Sequence, residues 1–424
     1  MSSTGLFTVR RVVFGLPVIW TGAWLTYYAY TDTIRRSHIR NRNRTLSETL
    51  ARLSGGEVDY NRPATELEKE ALKKRFASLR FAGRYWNPYV EWREQGAWEW
   101  AVWKIVLSTM SLKLFYNGGV PTERPIPDLP IERPDFELLF GAKQGAQKEQ
   151  VNVTDRMTIT WLGQSTSYVT MDNLAILTDP ALSERTLESW VAPTRLRPPP
   201  CRLDELKRVD VVLVSHNHFD HLDPAVIKEL GDTCEWIVPI GVGDFMRKQG
   251  VNRVTELDWW KDTKFTLKGG EKGDKTFTIT SVPLMHWSAR SPKDTNATLW
   301  SGFHVRSDSD RPRSFIHLGD TGFSPTLFHA VGRVFGPIDL AAIPIGSYEP
   351  RWHLRQQHTD PEGAVGMAML MNVRKSVGVH WGTWLMSDEA YNQPPKDLEI
   401  ARKKYEIDQD RFCVLPVGKT IVVD

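Results

Sequence analysis

Between residues 214 and 224 the chain reads Val214-Ser215-His216-Asn217-His218-Phe219-Asp220-His221-Leu222-Asp223-Pro224. Three imidazoles and a carboxylate within six residues are borderline and hard donors that suit Zn²⁺ and similar divalent ions. Two histidines two residues apart at an extended strand end can converge on one ion. Asp220 and His221 then turn toward a second position. A lone histidine is more often a satisfied core residue, but a cluster this dense has little structural use. A metal held with one position left for water performs hydrolysis, so metal-assisted hydrolysis is the expected chemistry.

The remaining ligands must come from later strand ends. His286 follows the apolar run ITSVPL, Asp320 follows RSFIHL inside Leu-Gly-Asp-Thr-Gly, and His380 follows SVGV inside His-Trp-Gly-Thr. Strand ends of α/β sheets are where sites assemble. One carboxylate can span two cations, and Asp320 is the natural bridge. The expected sets are His216, His218, His286 and Asp320 for one ion, and Asp220, His221, Asp320 and His380 for the other. Of the other histidines, His38, His304, His317, His329 and His353 read as packing or surface residues.

These residues need a scaffold. The strand VVLV runs straight into the cluster, while Asp223 offers an N-cap and Pro224 the first helical position. The four early ligands therefore sit on a strand-to-helix loop. From about residue 157 onward short β-rich runs alternate with helix-like stretches, among them MTITWLG, LAILTD, WIVPI, DLAAIPIG and FCVLPVG. That pattern predicts mixed sheets under outer helices, an α/β layer architecture. The hydrolase domain is expected over 157–424.

Ahead of it, 32–156 reads as a helical and Pro-rich extension packing on the core. Residues 64–82 have helical apolar spacing. Residues 84–116 are crowded with Trp86, Tyr89, Trp92, Trp98, Trp100 and Trp103, a packing segment with a lipid- or partner-facing surface as its rival reading. The prolines Pro121, Pro125, Pro127, Pro130 and Pro134 predict a stiff connector. Residues 32–60, ending in Ser54-Gly55-Gly56, read as a flexible tether.

Residues 12–31, VVFGLPVIWTGAWLTYYAYT, carry no charge. About twenty residues at helical rise match a hydrocarbon core of roughly 30 Å. Arg35, Arg36, Arg40, Arg42 and Arg44 form the heavier basic flank, so 1–31 is expected to be a single membrane anchor with the main domain on the cytosolic or matrix side. An opposite-topology anchor and a mitochondrial presequence are the weaker readings.

A formal net charge of +3 over 424 residues is too small to argue for a nucleic-acid partner. Three scattered cysteines imply neither a disulfide framework nor a cysteine zinc site, and fit a reducing compartment.

The pattern HxHxDH with a later His, a Gly-Asp and a further His resembles the metallo-β-lactamase superfamily. Longer stretches are similar to the N-acylphosphatidylethanolamine-hydrolysing phospholipase D family. They are GRYWNPYVEW at 83–92, WLGQST at 161–166, ILTDPALSER at 176–185, RPPPC at 197–201, VSHNHFDHLD at 214–223, ELDWW at 256–260, GDTGFSP at 319–325, FGPIDLAAIPIGSYEPRW at 335–352, QHTDPEGAV at 357–365 and HWGTW at 380–384. HxHxDH marks only the superfamily; the blocks from 335 onward are far more specific.

The resemblance implies an αββα sandwich holding two Zn²⁺ per chain. It implies cleavage of N-acylphosphatidylethanolamine to phosphatidate and an N-acylethanolamine. All seven ligands match the family pattern, with Asp320 in a catalytic role. His358 matches a substrate-contacting histidine, expected to orient the phosphate or donate to the leaving group. Phe219 stands at a substrate-contacting position where the family usually has Tyr, and Gln164 stands where it commonly has His. Arg351 is read as the partner of a carboxylate. The N-terminal span resembles a membrane-anchored, fungal-type relative, and the mitochondrial inner membrane is the expected location. The expected partners are a membrane phospholipid as substrate, the lipid bilayer and a second copy of the chain in a homodimer. The rival functions are hydrolysis of another ester, lactone or phosphodiester, and a membrane-anchored binding protein without catalysis.

Overall fold

Successive strand residues face opposite sides, and the run Val211 to Val214 uses both. Val211 and Leu213 join one buried cluster, Val212 and Val214 another. A strand covered on both faces reads as a continuous apolar run, and this one lies in the middle of a layered molecule. The computed structural model describes residues 3–54, 63–96, 98–99, 102–103, 126, 128–141, 156–187, 192–269 and 273–423.

In chain order the N-terminal elements are α1 (Ser3–Ser54), α2 (Glu66–Arg75), β1 (Arg80–Phe81), β2 (Arg84–Tyr85) and α3 (Phe136–Phe140). The first half of the domain carries β3 (Met157–Gly163), β4 (Thr166–Met171), β5 (Leu174–Thr178), β6 (Val211–Leu213), α4 (Pro224–Leu230), β7 (Glu235–Pro239), α5 (Gly243–Lys248) and β8 (Val254–Leu257). The second carries β9 (Asp262–Leu267), β10 (Lys275–Val282), β11 (Gly302–Ser307), β12 (Ser314–His317), α6 (Pro325–Phe335), β13 (Ile338–Pro344), α7 (Arg351–Leu354), α8 (Pro361–Leu370), β14 (Val373–Val379), α9 (Gln393–Lys404), β15 (Phe412–Cys413) and β16 (Thr420–Val423).

The strands form two seven-stranded sheets, ordered β16-β3-β4-β5-β6-β7-β8 and β15-β14-β13-β12-β11-β10-β9. Each is antiparallel at one side and parallel at the other: β5 to β8 run parallel, as do β12 to β15. Parallel neighbours end at the same edge, so the loops after β5 and β6 emerge together, and so do those after β12, β13 and β14. Ile159, Trp161, Ile176 and Leu213 of the first sheet share a core with Phe277, Phe303, Val305 and Phe315 of the second. Helices α4 and α5 cover the first sheet through Val226, Ile227 and Met246. Helix α8 packs on β13 and β14 from the other side. The expected αββα sandwich is the one observed.

The N-terminus departs from expectation. Among the described residues no helix is long and apolar enough to cross a membrane. The side chains of residues 3–19 lie outside the described residues, so the first part of the 12–31 stretch does too. The backbone does not stop at residue 31: α1 is one helix of 52 residues. The expected tether is therefore helical up to Ser54, while Gly55 and Gly56 lie outside the described residues.

The reason is spacing. Thr31, Arg35 and Ile39 recur every fourth residue and are all buried, one stripe of a helix laid on the domain. Arg35 donates to the carbonyls of Asn87 (3.2 Å), Tyr89 (2.7 Å) and Trp92 (3.1 Å), and pairs with Asp32 at 2.8 Å. Arg42 donates to the carbonyl of Ser78 at 3.1 Å.

The helix expected over 64–82 ends at Arg75. Arg80–Phe81 instead pairs with Arg84–Tyr85 around Ala82-Gly83, both at positive φ. Most described tryptophans are core, Trp161, Trp236, Trp259, Trp260 and Trp300 among them, while Trp20, Trp98 and Trp352 are exposed. Trp100 and the prolines Pro121, Pro125 and Pro127 lie outside the described residues.

Candidate metal centre

The loop after β6 is built as the sequence predicts. Asp223 caps α4 by accepting from the Ala225 N–H at 2.9 Å, with Pro224 in the first turn. Asp223 also accepts from the N–H groups of Leu182 and Ser183, fastening the loop after β5 beside it. His216, Asp220 and His221 are buried and His218 is partly so. From the second sheet, the loop after β10 brings His286, the loop after β12 brings Asp320, and His380 directly follows β14 at φ 62°. Gly319 is required before Asp320: its φ is +55°, and a Cβ there would collide with Ser215.

The seven residues converge. One group joins His216, His218 and His286, a second Asp220, His221, Asp320 and His380, each with ligand atoms within 4.8 Å of one another. His216 Nε2 lies 2.8 Å from His218 Nδ1, and His286 Nε2 lies 3.4 Å from that same Nδ1. Asp320 stands between the groups. Its Oδ2 is 3.1 Å from His221 Nε2, 3.7 Å from His286 Nε2 and 4.0 Å from His216 Nε2, and its Oδ1 is 3.0 Å from His380 Nε2. Asp220 Oδ2 is 3.3 Å from His221 Nε2 and 3.4 Å from His380 Nε2.

The donors fit divalent cations. A buried polar atom is normally hydrogen-bonded, yet His221 Nε2 and Asp320 Oδ1 are buried without a hydrogen-bond partner among the described residues. Three nitrogens in one group, and two nitrogens with two carboxylates in the other, are the donor types that Zn²⁺ and related ions take.

Charge divides the two groups. Burial, with the neighbouring imidazoles, pushes His218 down to about 4, His286 down to about 3 and His216 well below the ordinary imidazole value. All three are neutral at pH 7, the form in which an imidazole can take a metal ion. In the other group burial works the same way, but Asp320 and Asp220 outweigh it. His380 is carried up to about 9 and His221 well above its ordinary value, while burial of both carboxylates is outweighed by the adjacent imidazoles, which hold them low.

A further layer holds the ring orientations. His221 Nδ1 donates to Asp179 Oδ2 at 2.8 Å, which leaves its Nε2 facing the cluster. The same Oδ2 accepts from His317 Nε2 at 2.7 Å and Ser215 Oγ at 2.7 Å. Burial would raise the Asp179 carboxyl, but His317 and His221 hold it down at about 2. His286 Nδ1 donates to the Gln357 carbonyl at 2.9 Å, and Asn87 Nδ2 donates to the His286 carbonyl at 2.7 Å. Gln164 Nε2 lies 2.8 Å from Asp220 Oδ2 and 2.9 Å from His380 Nε2, so its amide borders both side chains.

Sequence reasoning missed Asp179 and His317, the latter having been read as packing or surface. Asp179 carried the same signal as Asp320, a carboxylate directly after an apolar strand. His317 ends β12 on the face it shares with Phe315, toward the other sheet. The two expected substrate contacts separate. His358 reaches the centre: its Nδ1 is 3.7 Å from Asp320 Oδ2, and its ring centroid is 5.2 Å from that of His286. The Phe219 ring lies under the Arg290 guanidinium at 4.3 Å. Arg290 in turn donates to the carbonyls of Asn217 and Leu222, both at 3.0 Å, and staples the ligand loop. Arg351 pairs with Asp360 at 3.0 Å, as expected of a structural arginine.

The chain is similar to known proteins both over its domain and over nearly its whole length. The domain family described as a beta-lactamase superfamily domain matches residues 175–381. The N-acyl-phosphatidylethanolamine-hydrolyzing phospholipase D 1 of Caenorhabditis elegans is 38% identical over 271 residues, covering 61% of this chain and 74% of that protein. The mitochondrial N-acyl-phosphatidylethanolamine-hydrolyzing phospholipase D of Saccharomyces cerevisiae is 30% identical over 445 aligned positions, 98% of this chain and 88% of that protein. A solved metallo hydrolase from Ignicoccus hospitalis is 19% identical, with a TM-score of 0.44, and covers 63% of this chain and 98% of its own.

Proposed function

Because the chain belongs to the N-acylphosphatidylethanolamine-hydrolysing phospholipase D family, and is therefore a metal-dependent hydrolase acting on a phosphodiester, we propose that it cleaves N-acylphosphatidylethanolamine to phosphatidate and an N-acylethanolamine with two Zn²⁺ per chain. The observation that carries this reading is the meeting of seven ligand-type side chains from both sheets around Asp320.

His216, His218 and His286 would hold one ion, Asp220, His221 and His380 the other, with Asp320 shared. Ions bound there supply Lewis-acid stabilisation of phosphoryl charge and a water whose pKa is lowered toward neutrality. The chain's own residues do the rest. Asp179 fixes the His221 tautomer, the Gln357 carbonyl fixes that of His286, and Gln164 orients Asp220. His358 Nδ1 is buried without a hydrogen-bond partner among the described residues and faces the cluster. That placement suits a hydrogen bond to a phosphate oxygen of the substrate, which aligns the diester for displacement of the ethanolamine oxygen. Phe219 acts through Arg290, by holding the loop that carries four ligands.

The bilayer is the proposed second partner. Trp20, Tyr30 and Trp98 are respectively 67%, 64% and 61% exposed, and amphipathic aromatics favour the headgroup region. A lipid of two or three chains leaves the bilayer at a cost of ~0.8 kcal/mol per methylene, so a face that rests on the membrane spares that extraction. The mitochondrial name of the yeast relative supports a mitochondrial membrane as the location.

The test is product analysis by mass spectrometry on N-acylphosphatidylethanolamine vesicles, with and without chelator. Phosphatidate and N-acylethanolamine should form together, and chelator should abolish both. Intact lipid in the presence of two loaded zinc ions would sink the substrate assignment.

A further inference from the structure

A second site lies on the opposite face of the second sheet. Phe303 and Val305 of β11 face the core between the sheets, so His304 and Arg306 face outward. There they line a cavity of about 580 Å³ with Lys69, Thr280, Phe335 and Arg374 among its walls. That size falls in the range of small-molecule sites, roughly 300–1,000 Å³. The ligands Asp320 and His380 follow the C-terminal ends of β12 and β14, whereas this cavity is bordered by Ser314 and Arg374 near their starts.

Strand register builds it. Thr278 of β10 lies opposite Arg306 of β11, which lies opposite Ser314 of β12. Asp339 of β13 accepts from Ser314 Oγ at 3.1 Å and from Arg374 Nη1 of β14 at 3.2 Å. The result is one polar row across five strands. In the next row His304 and Thr280 are opposite each other. Phe335, at the end of α6, stacks on His304 with centroids 4.4 Å apart and planes at 25°, and Trp260 stacks behind Phe335 at 5.9 Å.

Two features point to an anion. Three cations in the lining, Lys69, Arg306 and Arg374, meet one carboxylate, Asp339, which is already engaged by Ser314 and Arg374. Lys69 is paired with Glu66 on its own helix at 2.9 Å. The Arg306 side chain makes no hydrogen bond or ion pair among the described residues. Independently, His304 is 3% exposed and its Nε2 has no hydrogen-bond partner among the described residues. A buried polar atom of this kind is one for which a partner is expected.

We propose that this cavity binds a phosphate monoester with a small planar or apolar body. Of the lining cations, Arg306 is left without a carboxylate partner among the described residues, and a phosphate offers three acceptor oxygens to its fork and to the neighbouring Lys69 and Thr280 where a carboxylate offers two. Arg306 takes the phosphate oxygens in a forked pair, with Lys69 and the Thr280 hydroxyl beside it. The body lies against Phe335 and Val334, and His304 Nε2 pairs with an oxygen of the ester. The ester comes from one of two sources, the headgroup of a phosphatidate or a soluble phosphate ester.

The experiment is calorimetric titration of the zinc-loaded full chain with phenyl phosphate at pH 8, where the probe is a dianion. Inhibition by phenyl phosphate of turnover of a water-soluble phosphodiester is followed in parallel, since it reports the metal centre. Two binding events are expected in the native chain. Arg306→Met, at an exposed position, should remove one of them or weaken it at least tenfold, and leave the inhibition constant within twofold. Thr280→Val should weaken the same event. Benzoate should bind there at least tenfold more weakly than phenyl phosphate. Dihexanoyl phosphatidate below its micellar concentration competing for this event assigns the headgroup source, and its failure to compete beside bound phenyl phosphate assigns the soluble one. A single binding event unmoved by Arg306→Met, or equal affinity for benzoate, overturns the proposal.

Discussion

The two sheets supply the candidate metal centre in different ways. The first gives a cassette: His216, His218, Asp220 and His221 lie within six residues on one loop, capped by Asp223 and stapled by Arg290. The second gives three single residues, His286, Asp320 and His380, each from a different strand end. The cassette draws on partners from both halves of the domain, Asp179 and Arg290, besides its own Asp223. Of the single residues, His286 is held by Asn87 and Gln357, and Asp320 follows Gly319, a point where Ser215 leaves room for no side chain. Local clustering gives a loop its chemistry, but the register of two sheets gives the site its geometry.

The sharpest way to break this picture is at the residue where the two contributions meet. Asp320→Asn should lower phosphodiesterase turnover by roughly 10³-fold or more, with circular dichroism and melting temperature near those of the native chain. Undiminished turnover in a metal-assayed variant would mean that Asp320 does not join the groups.

Next in size is the support of the cassette. Asp179→Asn puts an amide where one carboxylate oxygen accepts from His221, His317 and Ser215. Loss of such an outer partner typically costs 10–100-fold in metal affinity. Competition with a chelating dye should show that loss with the fold intact. An unchanged affinity would show that the ring of His221 needs no such anchor.

How much of this was legible follows the same divide. The cassette announced itself, because four ligand types in six residues have few other uses. The later ligands were legible through one rule, a ligand type just past an apolar strand. Asp179 obeyed that rule and was missed, since a single aspartate in a turn is also an ordinary cap. His317 was missed because burial beside a carboxylate cannot be read from one residue. The sandwich was legible from alternating short runs, but α1 was not. An uncharged stretch followed by a basic one resembles an anchor and a tether. The stripe Thr31, Arg35 and Ile39 that docks it is mixed in polarity, and Arg35 is buried only because three carbonyls and Asp32 receive it.

That docking leads to a smaller expected effect. Arg35 holds the carbonyl of Asn87, and the Asn87 side chain holds the carbonyl of His286. Asn87→Ala removes one buried hydrogen bond, worth about 1 kcal/mol, and should weaken metal binding roughly fivefold at the group that contains His286. If the extension were only a tether, the chelator titration would not move.

The last effect, absent at neutral pH, comes from a histidine that serves as a control. His304 lies on the same sheet as the later ligands and is as buried, but it faces away from the metal groups. Burial, helped by the charge of Arg306, pushes it down to about 3. An unfolded chain takes up that proton near pH 6.5. The folded chain therefore binds fewer protons between those values, and stability falls as pH falls from about 6.5 toward 3, the contribution being complete above 6.5. His304→Leu should flatten this acid arm by at most one proton, about 1.4 kcal/mol per pH unit. The neutral imidazoles His218 and His286 have an acid arm of the same sign, and bound metal steepens it, because ions bind only their unprotonated form. Added Zn²⁺ should therefore shift the acid transition of both proteins while leaving the difference between native and His304→Leu unchanged. A difference that shrinks as zinc is added would place His304 in the metal's reach, and the separation of the two faces of the second sheet would fail with it.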